Sequence, residues 1–247
     1  MLIGSAPLGK DIYEWISDTL PNCDIRQGYG QTETSAASFI TKKGKNTYNS
    51  VGHPIPSLSF CLVAQDFNIY LLFLNGPTLF REYYGDAEKT NAVFAIDSNS
   101  GKRWLNTSDL VKLDDNGAIS IVGRGNDVIK ATDGIYYNLA NYEDAINTES
   151  TEVLLYYNQV KGIMSIIVYQ TSYKEGQSIT KPEAKKTFSE IMKKAKTKEI
   201  QLPPVLTPSF IYISEVPFEK TATSKTKRMA AYEDVKNHKC KMFGPWS

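Results

Sequence analysis

The stretch from Gly28 to Glu33, Gly-Tyr-Gly-Gln-Thr-Glu, puts a flat aromatic ring, a hydroxyl and a carboxylate into one glycine-rich hexapeptide. The spacing predicts a turn at the end of an extended run from Ile25 to Gly28. Tyr29 would present a face for stacking there, Thr32 would meet phosphate oxygens and Glu33 a Mg²⁺ ion, which favours carboxylate and phosphate oxygens and keeps several waters. An ordinary turn with one exposed acid accounts for the hexapeptide equally well. Gly4-Ser5-Ala6-Pro7-Leu8 predicts a strand-turn-helix whose small residues admit close ligand approach, although a plain connector explains it more simply. Trp104 to Asp109 ends a strand in an aspartate able to accept both hydroxyls of a ribose, and Arg124 carries a fork of N–H donors for the same sugar. A surface acid and base flanking a hairpin is the alternative. In Thr221-Ala222-Thr223-Ser224-Lys225-Thr226-Lys227-Arg228, a lysine on a mobile loop could neutralise a carboxylate or a bridging phosphate oxygen. A solvated basic run is the usual explanation of such a string.

These residues need elements to carry them. Met1-Leu2-Ile3 reads as a strand entering Gly4 directly, and Ile12, Trp15, Ile16 and Leu20 recur at helical spacing up to Pro21. Thr41 to Ser50 reads as a surface loop. Ser57 to Val63 and Ile69 to Leu74 read as strands, the second as one buried on both faces. Leu110 to Leu113 and Ala118 to Val122 flank Asp114-Asp115-Asn116-Gly117, a hairpin signal because Asn-Gly accepts positive φ. Past Gly123 the texture changes, which predicts a domain boundary near Arg124, giving domains 1–123 and 124–247. Leu139 to Asn147 reads as a helix, Val153 to Tyr157 and Ser165 to Tyr169 as strands, and Lys181 to Lys198 as a lysine-rich amphipathic helix. That helix has a solvated face, with weak contact to an anionic membrane surface as the lesser option. Phe210 to Ile213 reads as the final strand.

A chain of 247 residues with 41% hydrophobic and 22% charged residues has the composition of a globular protein able to bury a full core. A formal net charge of +1 gives no global electrostatic reason to expect nucleic acid. Cys23, Cys61 and Cys240 are scattered and odd in number, which suits an intracellular, reducing compartment. His53 and His238 are the only histidines, too few for a histidine zinc site. An opening in mid-strand predicts that the chain is the later part of a longer architecture.

Taken in order, these segments resemble the successive motifs of the adenylate-forming superfamily, with Val51 to Pro56 and Gly76 to Thr90 resembling its connectors. Gly-Tyr-Gly-Gln-Thr-Glu, the Gly134-Ile135-Tyr136 step and Thr-x-Thr-x-Lys-x-Lys-Arg point to its long-chain acyl-CoA synthetase branch. The resemblance runs from Met1 to about Tyr232. It implies an α/β (mixed α+β) fold, the end of a large N-terminal domain with a β-rich subdomain followed by a small mobile α+β domain. It also implies coupling of a fatty acid to ATP and transfer of the acyl group from AMP to coenzyme A. By position, Tyr29 with Gly30 would stack on adenine while Ser5 and Ala6 line its pocket. Thr32 would touch phosphate and the carboxylate, Glu33 would hold Mg²⁺, and Asp109 and Arg124 would bind ribose. Lys225 would steady the developing charge, Asn126 would be the hinge, and Gly134 would approach the pantetheine arm of coenzyme A.

The chain departs from the family pattern at Ser108 and Glu82, where glycines are typical, at Asn126, at Asp133 and Ile135, and at Tyr70-Leu71 in place of Gly-Glu. Family members also carry upstream a Ser/Thr/Gly-rich loop for the β- and γ-phosphates. The resemblance therefore implies a C-terminal part that is inactive alone and acts only within a larger enzyme, either because the sequence is a truncated gene model or because a protein partner supplies the missing half. The alternative is a catalytically dead half retained as a structural subunit.

Overall fold

The computed structural model describes residues 1–5, 8–44, 48, 50–171, 179–197, 201–221 and 225–246. Ala6 and residues 222–224 of the lysine-bearing segment lie outside the described residues. The architecture is mixed α/β, and the chain divides into two compact units, Met1–Gly125 and Asn126–Ser247.

The first unit opens with strand β1 (Leu2–Ile3), helix α1 (Lys10–Thr19), and strands β2 (Arg26–Gln31), β3 (Ala36–Ile40) and β4 (His53–Pro54). These strands form one sheet in the order β1-β2-β3-β4, with β1 parallel to β2 and the other pairs antiparallel. On α1 the helical spacing holds, but only Ile16 is buried. Ile12 and Trp15 stay exposed, as does Leu20 just past the helix end.

The expected turn at Gly28–Glu33 is corrected by the structure. Gly28, Tyr29, Gly30 and Gln31 lie within β2, and only Thr32–Thr34 turns, as a single 3₁₀ segment. The reason is close strand packing: a Cβ on Gly30 would stand 1.9 Å from the carbonyl oxygen of Ala36, where the β2–β3 register slips at a bulge. The glycines therefore serve the strand pairing rather than a turn.

A second sheet is built from β5 (Ser59–Asp66), β6 (Ile69–Asn75), helix α2 (Ala87–Val93), β7 (Phe94–Ile96), β8 (Arg103–Leu113) and β9 (Ile119–Arg124). Its order is β5-β6-β8-β7, with β9 also pairing on β8. Ile69, Leu72 and Leu74 are buried while Tyr70, Leu71 and Phe73 are half-buried. Thus β6 is not buried on both faces as its apolar run predicts, because an antiparallel sheet can leave one face to solvent. The Asp114–Gly117 turn forms where expected. Asp114 Oδ1 accepts from the backbone N–H groups of Asn116 and Ala118 at 2.9 and 2.8 Å, and Gly117 has φ 76°. Phe39, Leu72, Leu74, Val111 and Ile119 make the core. Arg124 closes β9 opposite Asp109, so it travels with the first unit and does not head the second.

The second unit begins with β10 (Val128–Lys130), β11 (Tyr136–Asn138) and helix α3 (Leu139–Ile146), followed by β12 (Thr151–Asn158) and β13 (Ile163–Gln170). Helix α4 (Lys181–Thr197), strand β14 (Phe210–Ile213), helix α5 (Arg228–Lys236) and strand β15 (Lys241–Phe243) complete it. The sheet order is β12-β13-β14-β15, with β13 and β14 parallel across the α4 crossover. β14 is therefore not the last strand: β15 pairs with it, and its three-residue Lys-Met-Phe run is too short for a period of two to announce it. Alternation along β12 sends Val153, Leu155 and Tyr157 to one core with α3 and α4, and Leu154 and Tyr156 to the other with α5. Helix α4 buries Ala184, Thr187, Phe188, Ile191 and Ala195. Among the described residues no helix is long and apolar enough to cross a membrane.

Candidate functional site

Within the first unit, Asp109 is the centre of a polar cluster. It sits in β8 immediately before a register shift, and it is 3% exposed. The Tyr29 phenol donates a short hydrogen bond to Oδ2, and Arg124 Nε meets Oδ1 at 3.0 Å. Arg124 also donates to the Thr107 carbonyl at 2.9 Å, and the Thr107 hydroxyl accepts from the Asp109 N–H at 3.1 Å. Burial, and then the Asp109 charge, push the Tyr29 phenol well above the ordinary tyrosine range. The cluster is thus neither a loose surface pair nor an open acceptor: Asp109 is pre-set by two donors on different oxygens.

The residue before Asp109 explains the backbone there. Ser108 has φ 59°, the left-handed region that a glycine adopts freely. Its N–H is held by Asn106 Oδ1 at 2.9 Å, and its carbonyl accepts from the Gly125 N–H at 2.8 Å.

Glu33 has a partner that no local pattern signals. The Tyr83 hydroxyl donates to Glu33 Oε1 at 2.6 Å, and the Phe80 N–H donates to the Glu33 carbonyl at 2.8 Å. Burial, followed by the Glu33 hydrogen bond, pushes Tyr83 up to about 12. The charge of Arg124 opposes the rise at both Tyr29 and Tyr83, so the two clusters share one electrostatic neighbourhood. Thr32 is exposed, and the buried Thr34 holds the turn, donating to the Gln31 carbonyl at 2.9 Å. Among the described residues no three His, Cys, Asp or Glu side chains converge on a metal position. Glu33 could contribute one carboxylate to a Mg²⁺ ion whose other positions are filled largely by phosphates and water. Ser5 is exposed, with φ 75°, and among the described residues it makes no hydrogen bond to the cluster.

In the second unit, Gly134 occupies the β10–β11 turn at φ 82° with open space around a Cβ; its glycine is required by conformation rather than by crowding. Beside it, the Tyr137 hydroxyl donates to Asp133 Oδ2 at 2.7 Å, which lowers the Asp133 carboxyl and pushes Tyr137 up to about 12. Asn126 is exposed at the head of the unit.

Lys225 is exposed but not on a loose loop. The legs Glu219–Thr221 and Lys225–Lys227 pair antiparallel, with Lys220 bridged to Thr226. The Thr221 N–H donates to the Lys225 carbonyl at 2.8 Å and the Lys227 N–H to the Glu219 carbonyl at 2.7 Å. Arg228, which the sequence merges into a basic run, is 6% exposed. Its guanidinium meets both Glu143 oxygens at 2.6 Å and Asp127 Oδ1 at 2.8 Å. Burial pulls Arg228 down, but Glu143 and Asp127 outweigh it and hold it fully protonated. Burial raises the Glu143 carboxyl, opposed by Arg228.

Residues 1–84 match the family model of the AMP-binding enzymes. Long chain acyl-CoA synthetase 5 of Arabidopsis thaliana is 31% identical over 183 residues, covering 70% of this chain and 25% of that protein. The 4-coumarate--CoA ligase-like 4 protein of Oryza sativa subsp. japonica is 31% identical over 139 residues, covering 53% and 24%. The chain spans about a quarter of the length of the curated relatives it matches. The solved O-succinylbenzoate coenzyme A synthetase (MenE) of Bacillus subtilis, in complex with AMP, superimposes with a TM-score of 0.60 at 18% identity, over 92% of this chain and 44% of that one. The McyG A-PCP structure with phenylalanyl-adenylate gives 0.62 at 20% identity, over 96% and 38%.

Fold and motif order together make this chain a member of the adenylate-forming superfamily. Within the superfamily it stands with the long-chain acyl-CoA synthetases, which are acyl-CoA ligase-like proteins.

Proposed function

We propose that this polypeptide is part of an ATP-dependent acyl-CoA ligase. The enzyme would join a fatty acid to ATP with release of pyrophosphate, then pass the acyl group from AMP to the thiol of coenzyme A, freeing AMP. The observation that carries this reading is Asp109, a buried carboxylate oriented by Tyr29 and Arg124. A buried, oriented carboxylate is a strong acceptor for two neighbouring hydroxyls of a ribose. Tyr29 would turn its ring to adenine, beside Ser5, Ala6 and Gly30. Thr32 would meet phosphate and carboxylate oxygens. Glu33, steadied by Tyr83, would hold Mg²⁺, whose contribution when bound is to neutralise phosphate oxygens. In the second unit Lys225 would meet the carboxylate or bridging oxygen, Asn126 would be the hinge, and the open space at Gly134 would admit the pantetheine arm. The free cysteines Cys23, Cys61 and Cys240 suit a reducing compartment.

Titration calorimetry with a non-hydrolysable acyl-AMP mimic tests the reading. Binding by the full chain, weakened at least about tenfold in Asp109→Asn by loss of a charged acceptor, is the expected result. An absence of heat at high micromolar ligand rejects it for this chain.

The exposed Leu2, Ile12, Trp15 and Leu20 favour a second proposal, that further polypeptide of the same architecture, in this or a partner chain, covers that face. In its extreme form the chain is a structural subunit with vestigial motifs. Sedimentation of the purified chain decides: self-association alone and dispersal with a partner support cover, and a well-behaved monomer at high concentration counts against it.

A further inference from the structure

Glu152 lies in β12 on the face that carries Leu154, Tyr156 and helix α5, outside every motif of the proposed ligase. Its two carboxylate oxygens reach different legs of the Lys225 hairpin. Oε2 pairs with Lys220 Nζ at 3.2 Å on the incoming leg, and Oε1 accepts a short hydrogen bond from the Thr226 hydroxyl on the outgoing leg. Lys220 and Thr226 are the residues that bridge the two legs. Below this point the hairpin is rooted in the core on both sides. Phe218 is buried against Leu154 and Ile167 in the cluster under α5, and Arg228 is fixed by Glu143 and Asp127. Above it, Lys225 is exposed and its side chain makes no ion pair with a described residue. Glu152 thus ties both legs of the hairpin to the sheet close to the exposed Lys225.

We infer that Glu152 is a positioning residue, which sets where Lys225 stands by joining both legs of its hairpin to β12. The inference rests on the ligase reading for the use made of Lys225, but the tie itself is a property of the second unit alone. A carboxylate bridging a lysine and a hydroxyl from two strands fixes their register in a way one contact cannot, because slippage of either leg breaks one of the two.

The experiment is limited trypsin digestion of the full chain, with cleavage after Lys225 timed by mass spectrometry against cleavage at the exposed Lys185 and Lys186 on helix α4 of the same unit. Cleavage of a transiently opened segment tracks its open population, so losing both ties in Glu152→Ala is expected to speed cleavage after Lys225 by about tenfold or more. Rates at Lys185 and Lys186 stay unchanged. Glu152→Gln keeps an acceptor for Thr226 but loses the charge facing Lys220, and falls between. If Glu152→Ala speeds every site together it has unfolded, and Glu152→Gln and Thr226→Val then decide by the same ratio. Equal ratios in all folded variants overturn the inference.

A second arm uses the acyl-AMP mimic. Glu152→Ala is expected to weaken binding as far as Lys225→Ala does, with the double variant no weaker than either. If Lys225→Ala binds like the wild type, or neither binds, the ligase role of Lys225 falls, and the cleavage ratio still stands for or against the tie.

Discussion

At the level of single residues, motif acids could be read from the sequence, but their partners could not. Glu33 is singled out as the carboxylate of a glycine-rich hexapeptide, and Asp109 as the acid closing the Trp104–Asp109 segment. Tyr83 and Tyr29, which hold them, are separated from them by 50 and 80 positions, and only the tertiary fold brings them near. Ser108 is the reverse case: a departure from the family's glycine that the backbone exposes as strain. A serine at φ 59° carries a cost of about 1 kcal/mol, partly offset by the Asn106 acceptor. Ser108→Gly relieves it, while the added freedom of the unfolded chain takes back roughly half. The expected net effect is a stabilisation of about 0.5 kcal/mol, measured by urea unfolding. If Ser108→Gly destabilises, the backbone at this position is not strained.

Among elements, long and strongly periodic segments announced themselves. Helices α1, α3 and α4 and strands β12 and β13 lie where apolar spacing predicts them, and the four-residue β14 shows only because all four of its residues are large and apolar or aromatic. Short pieces did not: β3, β4, β7, β10, β11 and β15 are each five residues or fewer, too brief for alternation to outweigh composition. Helix α5 shows what composition hides. Its first residue, Arg228, belongs by sequence to a solvated basic string, yet it is the buried partner of Glu143 and Asp127. Replacing it with Met leaves Glu143 buried and uncompensated, an expected loss of about 3–5 kcal/mol at neutral pH. The sign of the pH dependence follows from Glu143, whose carboxyl is already raised by burial and rises further without Arg228. Such a raised acid is stabilising below its unfolded range and loses that contribution as pH climbs through its folded value. The deficit of Arg228→Met should therefore shrink as pH is lowered toward the carboxylate range. Arg228→Met with Glu143→Leu should recover most of it, less the acceptor that Glu143 offers the Leu155 N–H at 2.6 Å. Denaturant midpoints at several pH values check both; a deficit independent of pH would mean that Glu143 is not the uncompensated charge.

For the molecule as a whole, the chain divides into the units Met1–Gly125 and Asn126–Ser247. Both clusters of the second unit, around Leu155 and Ile166 and around Leu154 and Ile167, draw only on residues after Asn126. A fragment of residues 126–247 should accordingly fold alone and unfold in one cooperative transition. Its alkaline limit can be derived as well. Tyr232 donates to the Leu155 carbonyl at 2.6 Å, and burial, opposed by the nearby Arg228, lifts it from 10.0 to about 12. A group raised on folding contributes stability that is complete below pH 10 and is lost as pH climbs through 12, because the unfolded chain releases the proton first. The contribution is on the order of 2–3 kcal/mol. Tyr232→Phe forgoes the hydrogen bond, so it should be less stable at pH 8 by about 1 kcal/mol. Its stability should also fall less steeply between pH 10 and 12, so that the two curves meet and cross within that range. Urea unfolding of the fragment and its variant across that range provides the measurement. Parallel curves would mean that Tyr232 titrates alike in the folded and unfolded states, and a fragment with no cooperative transition would show that the second unit needs the first to fold.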